Sequence, residues 1–118
     1  MQTPESLPKS ITARELQQRL SDGEAIQLVD VREAMELELA RLPHEVIHLP
    51  LSCSSAWLPT LEQRLERDRP VAVICHAGVR SWQFGCWLME QQGYGQVWNL
   101  LGGIDAWSVQ VDPSVPRY

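Results

Sequence analysis

The chain has 118 residues, 44% of them hydrophobic and 21% charged, which fits one compact domain and is too short for two. Its formal net charge is −5 and Lys9 is its only lysine, so the basic surface that a nucleic-acid partner requires is not expected. No apolar run approaches the ~18 residues of a membrane span, and residues 1–10 lack the basic and apolar parts of a secretory signal, so we expect neither a membrane partner nor export.

Short apolar runs alternate with amphipathic stretches along the chain. In chain order we predict a helix over residues 12–22, a strand over 25–29 that ends at Asp30, a helix over 33–40, a strand over 46–49, a helical stretch over 54–67, a strand over 71–74, a helix over 81–92, a strand over 97–100 and a short helix around 106–107. The first helix begins at a capping box, because Thr12 is followed three residues later by Glu15. Leu58, Leu61 and Leu65 are expected to share one face of the stretch over 54–67.

Residues 71–74 (VAVI) form an uninterrupted apolar run rather than an alternating one. Such a run is typical of a strand that is buried on both faces at the centre of a parallel sheet. Strands that alternate with helices imply right-handed crossovers between parallel strands. We therefore predict an α/β fold, with a central parallel sheet of about five strands and helices on both of its faces.

The three cysteines are Cys53, Cys75 and Cys86, an odd number, so at least one has no partner for an internal disulfide. No C-x-x-C pair and no zinc-finger spacing is present, and we expect no metal site. Unpaired thiols in a chain without an export signal indicate the reducing cytoplasm. We expect Cys86 to lie in the core with Trp82 and Met89. For Cys53, a role as a resolving thiol for Cys75 is the alternative to that of an ordinary cysteine.

The segment from Cys75 to Ser81 (CHAGVRS) lies between the predicted central strand and a helix. Cys75 is therefore at the carboxyl end of a strand, the edge at which ligands bind to open parallel sheets. The helix directs its free N–H groups and the positive end of its dipole at this edge, and Gly78 lets the loop curve into an anion-binding nest. With the charge of Arg80 added, the loop favours a thiolate, and we predict that Cys75 is a nucleophile.

Four motifs of this sequence resemble those of the rhodanese family. Residues 75–81, with the pattern C-x-x-G-x-R-S, resemble the family's active-site loop, and residues 30–33 (DVRE) resemble its D-x-R-E signature. Residues 49–52 (LPLS) resemble the element after the family's third strand, and residues 101–107 (LGGIDAW) its closing motif. The motifs occur in the family's order and spacing and cover residues 9–109. The loop alone would be a weak signal, but the four together identify the chain as a member of this family.

The resemblance implies a sulfurtransferase that carries sulfane sulfur as a persulfide on Cys75. In such a cycle the Cys75 thiolate takes the outer sulfur of thiosulfate or of a persulfide donor. Cyanide, a small thiol or an acceptor protein then removes this sulfur, and no cofactor is required. Asp30 and Arg32 would support the site by hydrogen bonding at the same edge of the sheet. The substrate would bind in the loop formed by His76, Ala77, Gly78, Val79, Arg80 and Ser81.

Two other functions are compatible with the same motifs. Four residues separate Cys75 from Arg80, whereas tyrosine-type phosphatases, some of which share the rhodanese fold, have five. The shorter loop favours sulfur transfer over a small phosphatase or arsenate reductase. A non-catalytic rhodanese module that binds a partner is the other alternative, and the retained cysteine argues against it.

The sequence departs from the common family pattern at two places. Residues 41–46 (RLPHEV) replace the usual G-H-I-x-G-A, so we transfer no role to His44. The second position of the active-site loop is His76 instead of the frequent arginine. Loss of this cation weakens the attraction of anions at neutral pH and predicts modest turnover with thiosulfate.

The end of the chain bears on the acceptor and on the domain limits. Residues 112–118 (DPSVPRY) resemble the tail of rhodanese domains fused to sulfur-carrier adenylating enzymes, which implies an acceptor protein. We predict one domain over residues 1–118, with a core over about 9–109. Residues 1–8 would form a loose arm and residues 110–118 a tail along the surface.

Overall fold

The computed structural model of the chain describes residues 7–118. Its strands and helices, in chain order, are β1 (Lys9–Ile11), α1 (Ala13–Ser21), β2 (Gln27–Asp30), α2 (Ala34–Leu39), β3 (Ile47–His48), α3 (Ser54–Trp57), α4 (Leu61–Arg64), β4 (Val71–Ile74), α5 (Val79–Gln92), β5 (Val97–Leu100) and α6 (Gly103–Gln110). None of the helices in this part of the chain has the length and apolar character of a membrane span. The predicted arm lies mostly outside the described residues, and Pro8, at its end, is buried.

The strands form one parallel sheet of five strands in the order β1-β5-β4-β2-β3. Strand β4 lies at its centre, paired with β2 on one side and β5 on the other. Successive side chains of a strand point to opposite faces, so Val71 and Val73 enter one apolar cluster while Ala72 and Ile74 enter the other. The prediction of a parallel sheet with a central VAVI strand is confirmed.

Helices cover both faces of this sheet. On one face, Phe84 and Leu88 of α5 pack against the strands. On the other face, Leu16 of α1 packs with Ile104 and Trp107 of α6. Each face thus buries a layer of apolar side chains, which holds the carboxyl edge of the sheet in a fixed geometry.

The helical stretch predicted over residues 54–67 is broken. Pro59 lies within it, and the chain passes from α3 through a 3₁₀ turn into the short helix α4. Proline has no amide hydrogen and interrupts the hydrogen-bond pattern of a helix. Leu61 and Leu65 are buried but Leu58 is 44% exposed, so the prediction that the three share one face is wrong.

Helix α5 begins at Val79 rather than at Ser81, and its buried face differs from the prediction. Trp82, Cys86 and Met89 are half-buried at the side of the helix, so the prediction of a core position for Cys86 is wrong. The phase of the helix is set by its first turn, where Ser81 points inward at the end of β4. The buried residues of α5 are Ser81, Phe84, Gly85 and Leu88.

The tail over residues 110–118 packs against the domain. Val115 is buried, and its carbonyl oxygen accepts a 2.6 Å hydrogen bond from the Ser108 hydroxyl. Tyr118 is half-buried and bonded to a side chain of α2. The tail therefore brings a side chain of its own to the carboxyl edge of the sheet.

Candidate active site

Cys75 follows β4 directly and is only 1% exposed. Residues 76–78 turn the chain from this strand into α5, and Gly78 caps the helix with φ +102°, a conformation that residues with a Cβ rarely adopt. The amide of Gly78 donates a 3.0 Å hydrogen bond to the Sγ of Cys75. The loop therefore curls around the sulfur, as a nest of amides does around an anion.

Hydrogen bonds at the sulfur stabilise the thiolate of Cys75. Burial by itself raises the pKa of this thiol, because a charge is less well solvated inside a protein. The hydroxyl and amide of Ser81, together with the amides of Gly78 and Ala77, outweigh burial and lower the pKa of Cys75 below that of an ordinary thiol. Since the thiolate is the nucleophilic form of cysteine, this environment suits attack on an electrophilic sulfur.

The hydroxyl of Ser81 stands between Cys75 and Asn99 of β5. Its Oγ lies 3.2 Å from the Sγ of Cys75 and donates to the Oδ1 of Asn99. A hydroxyl has one hydrogen, so it cannot serve both acceptors at once. A thiol can itself donate to this oxygen while the hydroxyl donates to Asn99, whereas a thiolate can only accept and therefore competes with the Oδ1 of Asn99 for the hydroxyl hydrogen. Asn99 also donates from Nδ2 to the carbonyl of Gly78 at 3.1 Å, which braces the loop.

The first turn of α6 supports the active-site loop through backbone contacts. The amide of Ile104 donates to the carbonyl of Cys75 at 2.9 Å, and the amide of Asp105 donates to the carbonyl of His76 at 3.2 Å. Gly103 approaches these two carbonyls so closely that a Cβ at this position would overlap both. Gly103, the second glycine of the LGGIDAW motif, is therefore required, because the chain packs closely against the active-site loop at this position.

Arg80, in the first turn of α5, is paired with Glu36 of α2. Its Nη1 and Nη2 atoms each lie 2.8 Å from a carboxylate oxygen of Glu36. The hydrogen bond from Arg80, assisted by those from the Glu33 amide and Tyr118 and opposed by burial, lowers the pKa of Glu36 to about 2. The same pairing raises the pKa of Arg80, and the charge of a Cys75 thiolate raises it further. Both terminal nitrogens of Arg80 are therefore already bonded to Glu36.

The hydroxyl of Tyr118 links Glu36 to Arg32. It donates to the Oε1 of Glu36 at 3.0 Å and accepts from the Nη1 of Arg32 at 3.0 Å. The ring of Tyr118 stacks on that of His76, with centroids 4.1 Å apart and planes inclined by 12°. The tail of the chain therefore contacts both the active-site loop and the acid that pairs with Arg80.

Asp30 and Arg32 form a buried ion pair at the end of β2. The Nη2 of Arg32 lies 2.9 Å from the Oδ2 of Asp30, and its Nε donates to both carboxylate oxygens. Arg32 is 0% exposed, and its carbonyl oxygen lies 2.6 Å from the Nε2 of His48. In this arrangement Arg32 braces the loop after β2, and its guanidinium has no exposed face to offer a substrate.

Only some of the residues predicted for substrate binding direct hydrogen-bond donors at the sulfur of Cys75. Ala77, Gly78 and Ser81 present amides or a hydroxyl to it. The ring of His76 faces Tyr118 instead, and Val79 is 66% exposed. The donor groups of the site therefore come from the backbone and Ser81 more than from charged side chains.

Three side chains of the site were not predicted from the sequence. Asn99 could have been identified from the sequence, because it is the one polar residue in the apolar strand VWNL. Glu36 and Tyr118 carried none, since their partners are distant in the chain and meet only when α2 and the tail pack at the same edge.

Cys53 is exposed and lies in the 3₁₀ turn before α3. Its Sγ lies 3.7 Å from the Oγ of Ser52, which itself donates to the carboxylate of Glu33. Each of the three cysteines is a free thiol. A role for Cys53 as the resolving partner of Cys75 stays a prediction.

Comparison with known proteins gives a family match over most of the chain. The sequence profile described as "Rhodanese-like domain" matches residues 12–110. A protein named "Sulfurtransferase" from Allochromatium vinosum is 40% identical over 98 residues, which cover 83% of this chain and 86% of that protein. The solved structure of a rhodanese-like domain protein from Staphylococcus aureus is 25% identical with a TM-score of 0.71, and the match covers 93% of this chain and 98% of that one.

Other relatives are much longer than this chain. "Rhodanese-like/PpiC domain-containing protein 12, chloroplastic" from Arabidopsis thaliana is 39% identical over 113 residues, which cover 93% of this chain and 37% of that protein. "Adenylyltransferase and sulfurtransferase MOCS3-2" from Zea mays is 34% identical over 117 residues, which cover 95% of this chain and 24% of that protein. The chain therefore corresponds to a minor part of each of these two proteins.

Proposed function

Since this chain belongs to the family of rhodanese-like domains, we propose that it is a sulfurtransferase that carries sulfane sulfur as a persulfide on Cys75. The proposal rests on one observation, the set of hydrogen bonds that the loop and Ser81 direct at a single buried sulfur. Such a site stabilises a thiolate, and it can stabilise the anionic outer sulfur of a persulfide in the same way. Relatives named as sulfurtransferases support this function.

In the first half-reaction the Cys75 thiolate attacks the outer sulfur of thiosulfate or of a persulfide. A bond forms between Sγ and this sulfur while the S–S bond of the donor breaks, and the electron pair leaves with sulfite or with the donor thiolate. No external oxidant is needed, because the donor sulfur already has the oxidation state of the product. The amides at the start of α5 and the positive end of its dipole stabilise the charge on the transferred sulfur.

In the second half-reaction a thiophilic acceptor attacks the outer sulfur of the Cys75 persulfide. The new bond forms as the Sγ–S bond breaks, and the electron pair returns to Sγ as the thiolate. Cyanide and small thiols can accept sulfur in this way. Because Cys75 is 1% exposed, donor and acceptor must both present a narrow reacting end.

The natural acceptor in our proposal is a protein, and the reaction takes place in the cytoplasm. The tail resembles that of rhodanese domains fused to sulfur-carrier adenylating enzymes, and the name of the Zea mays relative joins an adenylyltransferase to a sulfurtransferase. The free thiols of this chain suit a reducing compartment.

The phosphatase alternative is less well supported by the site. Arginine binds phosphate oxygens best through two parallel N–H groups, and here both terminal nitrogens of Arg80 are bonded to Glu36. The interval of four residues between Cys75 and Arg80 also makes a small nest. A sulfur atom fits such a site better than a phosphate ester does.

Steady-state assays distinguish the three candidate functions. The wild type, Cys75→Ser and the matched control Cys86→Ser would be tested for sulfur transfer to cyanide, from thiosulfate and from a small persulfide, and for hydrolysis of an aryl phosphate. We expect transfer by the wild type and Cys86→Ser and none by Cys75→Ser. Hydrolysis of the phosphate that depends on Cys75, without sulfur transfer, would show a phosphatase. Absence of all these activities in the folded wild type would indicate a binding module.

A further inference from the structure

Two arginines, Arg32 after β2 and Arg80 in the first turn of α5, each pair with a carboxylate. Arg32 is buried against Asp30. Arg80 is bonded through both terminal nitrogens to Glu36, with side chains 35% and 15% exposed, respectively. Each pair has no net charge, so neither adds a full positive charge to the amides that surround the sulfur of Cys75.

The carboxylate of Glu36 is held in place by more than Arg80. The hydroxyl of Tyr118 donates to Oε1 at 3.0 Å, and the amide of Glu33 donates to Oε2 at 2.9 Å. Arg80 contributes one further hydrogen bond to each oxygen. Because all these donors stabilise the anion, Glu36 is charged throughout the pH range in which a thiolate can react.

Sulfur donors differ in the charge they bring to such a site. Thiosulfate is a dianion, whereas the persulfide of an uncharged thiol carries at most one negative charge, at its terminal sulfur. Partial charges on amides can stabilise one developing anion, but the second charge of thiosulfate would need a free cation. The fixed carboxylate of Glu36 cancels the charge of Arg80, the cation that could have served.

We propose that Glu36, held by Tyr118, determines the donor class of this sulfurtransferase: it cancels the charge of Arg80, so the site favours singly charged persulfides over dianionic sulfur donors such as thiosulfate. This inference rests on the proposed function and concerns the same site. Glu36 acts through Arg80 and does not touch the reacting sulfur. It is therefore a specificity-determining residue and not a catalytic one.

The test replaces Glu36 by glutamine, which has nearly the same size, carries no charge and keeps one of the two acceptor oxygens. Values of kcat/KM would be measured for thiosulfate and for the persulfide of 2-mercaptoethanol, with cyanide as the acceptor for both. In Glu36→Gln, we expect the ratio of the thiosulfate value to the persulfide value to rise about fivefold to twentyfold, because the freed Arg80 attracts the second charge of thiosulfate across a few ångströms. The ratio cancels any change in the nucleophilicity of Cys75 that affects both donors.

Three further variants separate charge from structure. Glu38→Gln removes the same charge at an exposed position of the same helix and should leave the ratio within about twofold of the wild type. Glu36→Asp disturbs the hydrogen bonds but keeps the charge, so its ratio should also stay near that of the wild type. Tyr118→Phe keeps the stacking on His76 and the charge of Glu36 but loses the hydroxyl, so its ratio should also stay near that of the wild type.

An unchanged or lower ratio in folded Glu36→Gln would overturn the inference. A ratio that rises as far in Glu36→Asp as in Glu36→Gln would overturn it too, since the effect would then be structural. These results require that the wild type transfers sulfur from at least one donor. Transfer from neither donor by the wild type would instead overturn the proposed function and, with it, this inference.

Discussion

The Oγ of Ser81 lies 3.2 Å from the sulfur of Cys75, in the first turn of α5. The same oxygen donates to Asn99 on the neighbouring strand β5. Since a hydroxyl has one hydrogen, a thiolate at Cys75 competes with the Oδ1 of Asn99 for it. The central strand supplies the nucleophile, α5 supplies its hydroxyl donor, and β5 supplies the acceptor that holds this hydroxyl in place.

Ser81→Ala should raise the pKa of Cys75. The thiolate loses the hydroxyl donor that counteracts burial, while the amides of Gly78 and Ala77 remain. The thiolate fraction grows as the pH rises through the pKa, so a higher pKa moves the reactive range to higher pH. We expect alkylation by iodoacetamide at neutral pH to slow about threefold to tenfold. The pH dependence of this rate, followed by intact mass in a Cys53→Ser, Cys86→Ser background, measures the effect.

Ser108→Ala is the matched control for this experiment. Ser108 is also a buried serine in a helix, but its hydroxyl donates to the carbonyl of Val115, far along the chain from the loop. Its pH profile should match that of the parent. A profile of Ser81→Ala that is unchanged or moved to lower pH would contradict the role of this hydroxyl.

Gly103→Ala should disrupt the support of the active-site loop. A Cβ at this position overlaps the carbonyls of Cys75 and His76, so the LGGIDAW turn and the loop must separate. We expect a loss of about 3 kcal/mol or more in the free energy of unfolding, and a lower rate of sulfur transfer in the molecules that remain folded. Urea unfolding followed by circular dichroism measures the first effect, and the cyanide assay measures the second.

Gly23→Ala provides the comparison for Gly103→Ala. Gly23 also has a positive φ, of +83°, but a Cβ there meets nothing within 4 Å. This variant should lose only the conformational cost of a side chain in the left-handed region, about 1–2 kcal/mol, and keep its activity. Equal destabilisation in the two variants would show that the close approach at Gly103 has no energetic consequence.

Arg32→Ala should destabilise the fold strongly. It leaves the carboxylate of Asp30 buried without its partner, a change that costs about 3–5 kcal/mol in buried ion pairs. Urea unfolding measures the difference. Arg117→Ala, which removes one partner of the exposed pair with Asp105, should have a much smaller effect. If Arg32→Ala is as stable as Arg117→Ala, then Arg32 does not stabilise the carboxyl edge of the sheet.

The centre of the fold and of the site could be predicted from local sequence. The apolar run VAVI determines a strand buried on both faces, and the CHAGVRS segment that follows it must then lie at the carboxyl edge, at the start of a helix. Both conclusions depend on residues adjacent in the chain. They correctly predict the position of Cys75 at the end of β4 and of Ser81 at the start of a helix, whereas Arg80, predicted in the loop, lies in the first turn of α5.

The remaining features depend on contacts between distant segments. Glu36 meets Arg80 across 44 positions and Tyr118 across 82, and no local pattern indicates either contact. Strand β1 has three residues and takes its structure from pairing with β5, so it gave no periodicity of its own. The break at Pro59 was different, because the proline itself was a readable signal against a continuous helix.

The most direct test of the account is whether Cys75 carries a sulfur that is passed on. In a Cys53→Ser, Cys86→Ser variant, Cys75 is the only thiol, and the protein would be loaded with a donor, freed of excess donor and examined by intact-mass and peptide mass spectrometry before and after addition of cyanide. We predict one added sulfur per chain, located on Cys75, removed by reductant and lost to cyanide at least as fast as steady-state turnover. An unmodified Cys75 with every donor, or an added sulfur that cyanide removes more slowly than turnover, would contradict it.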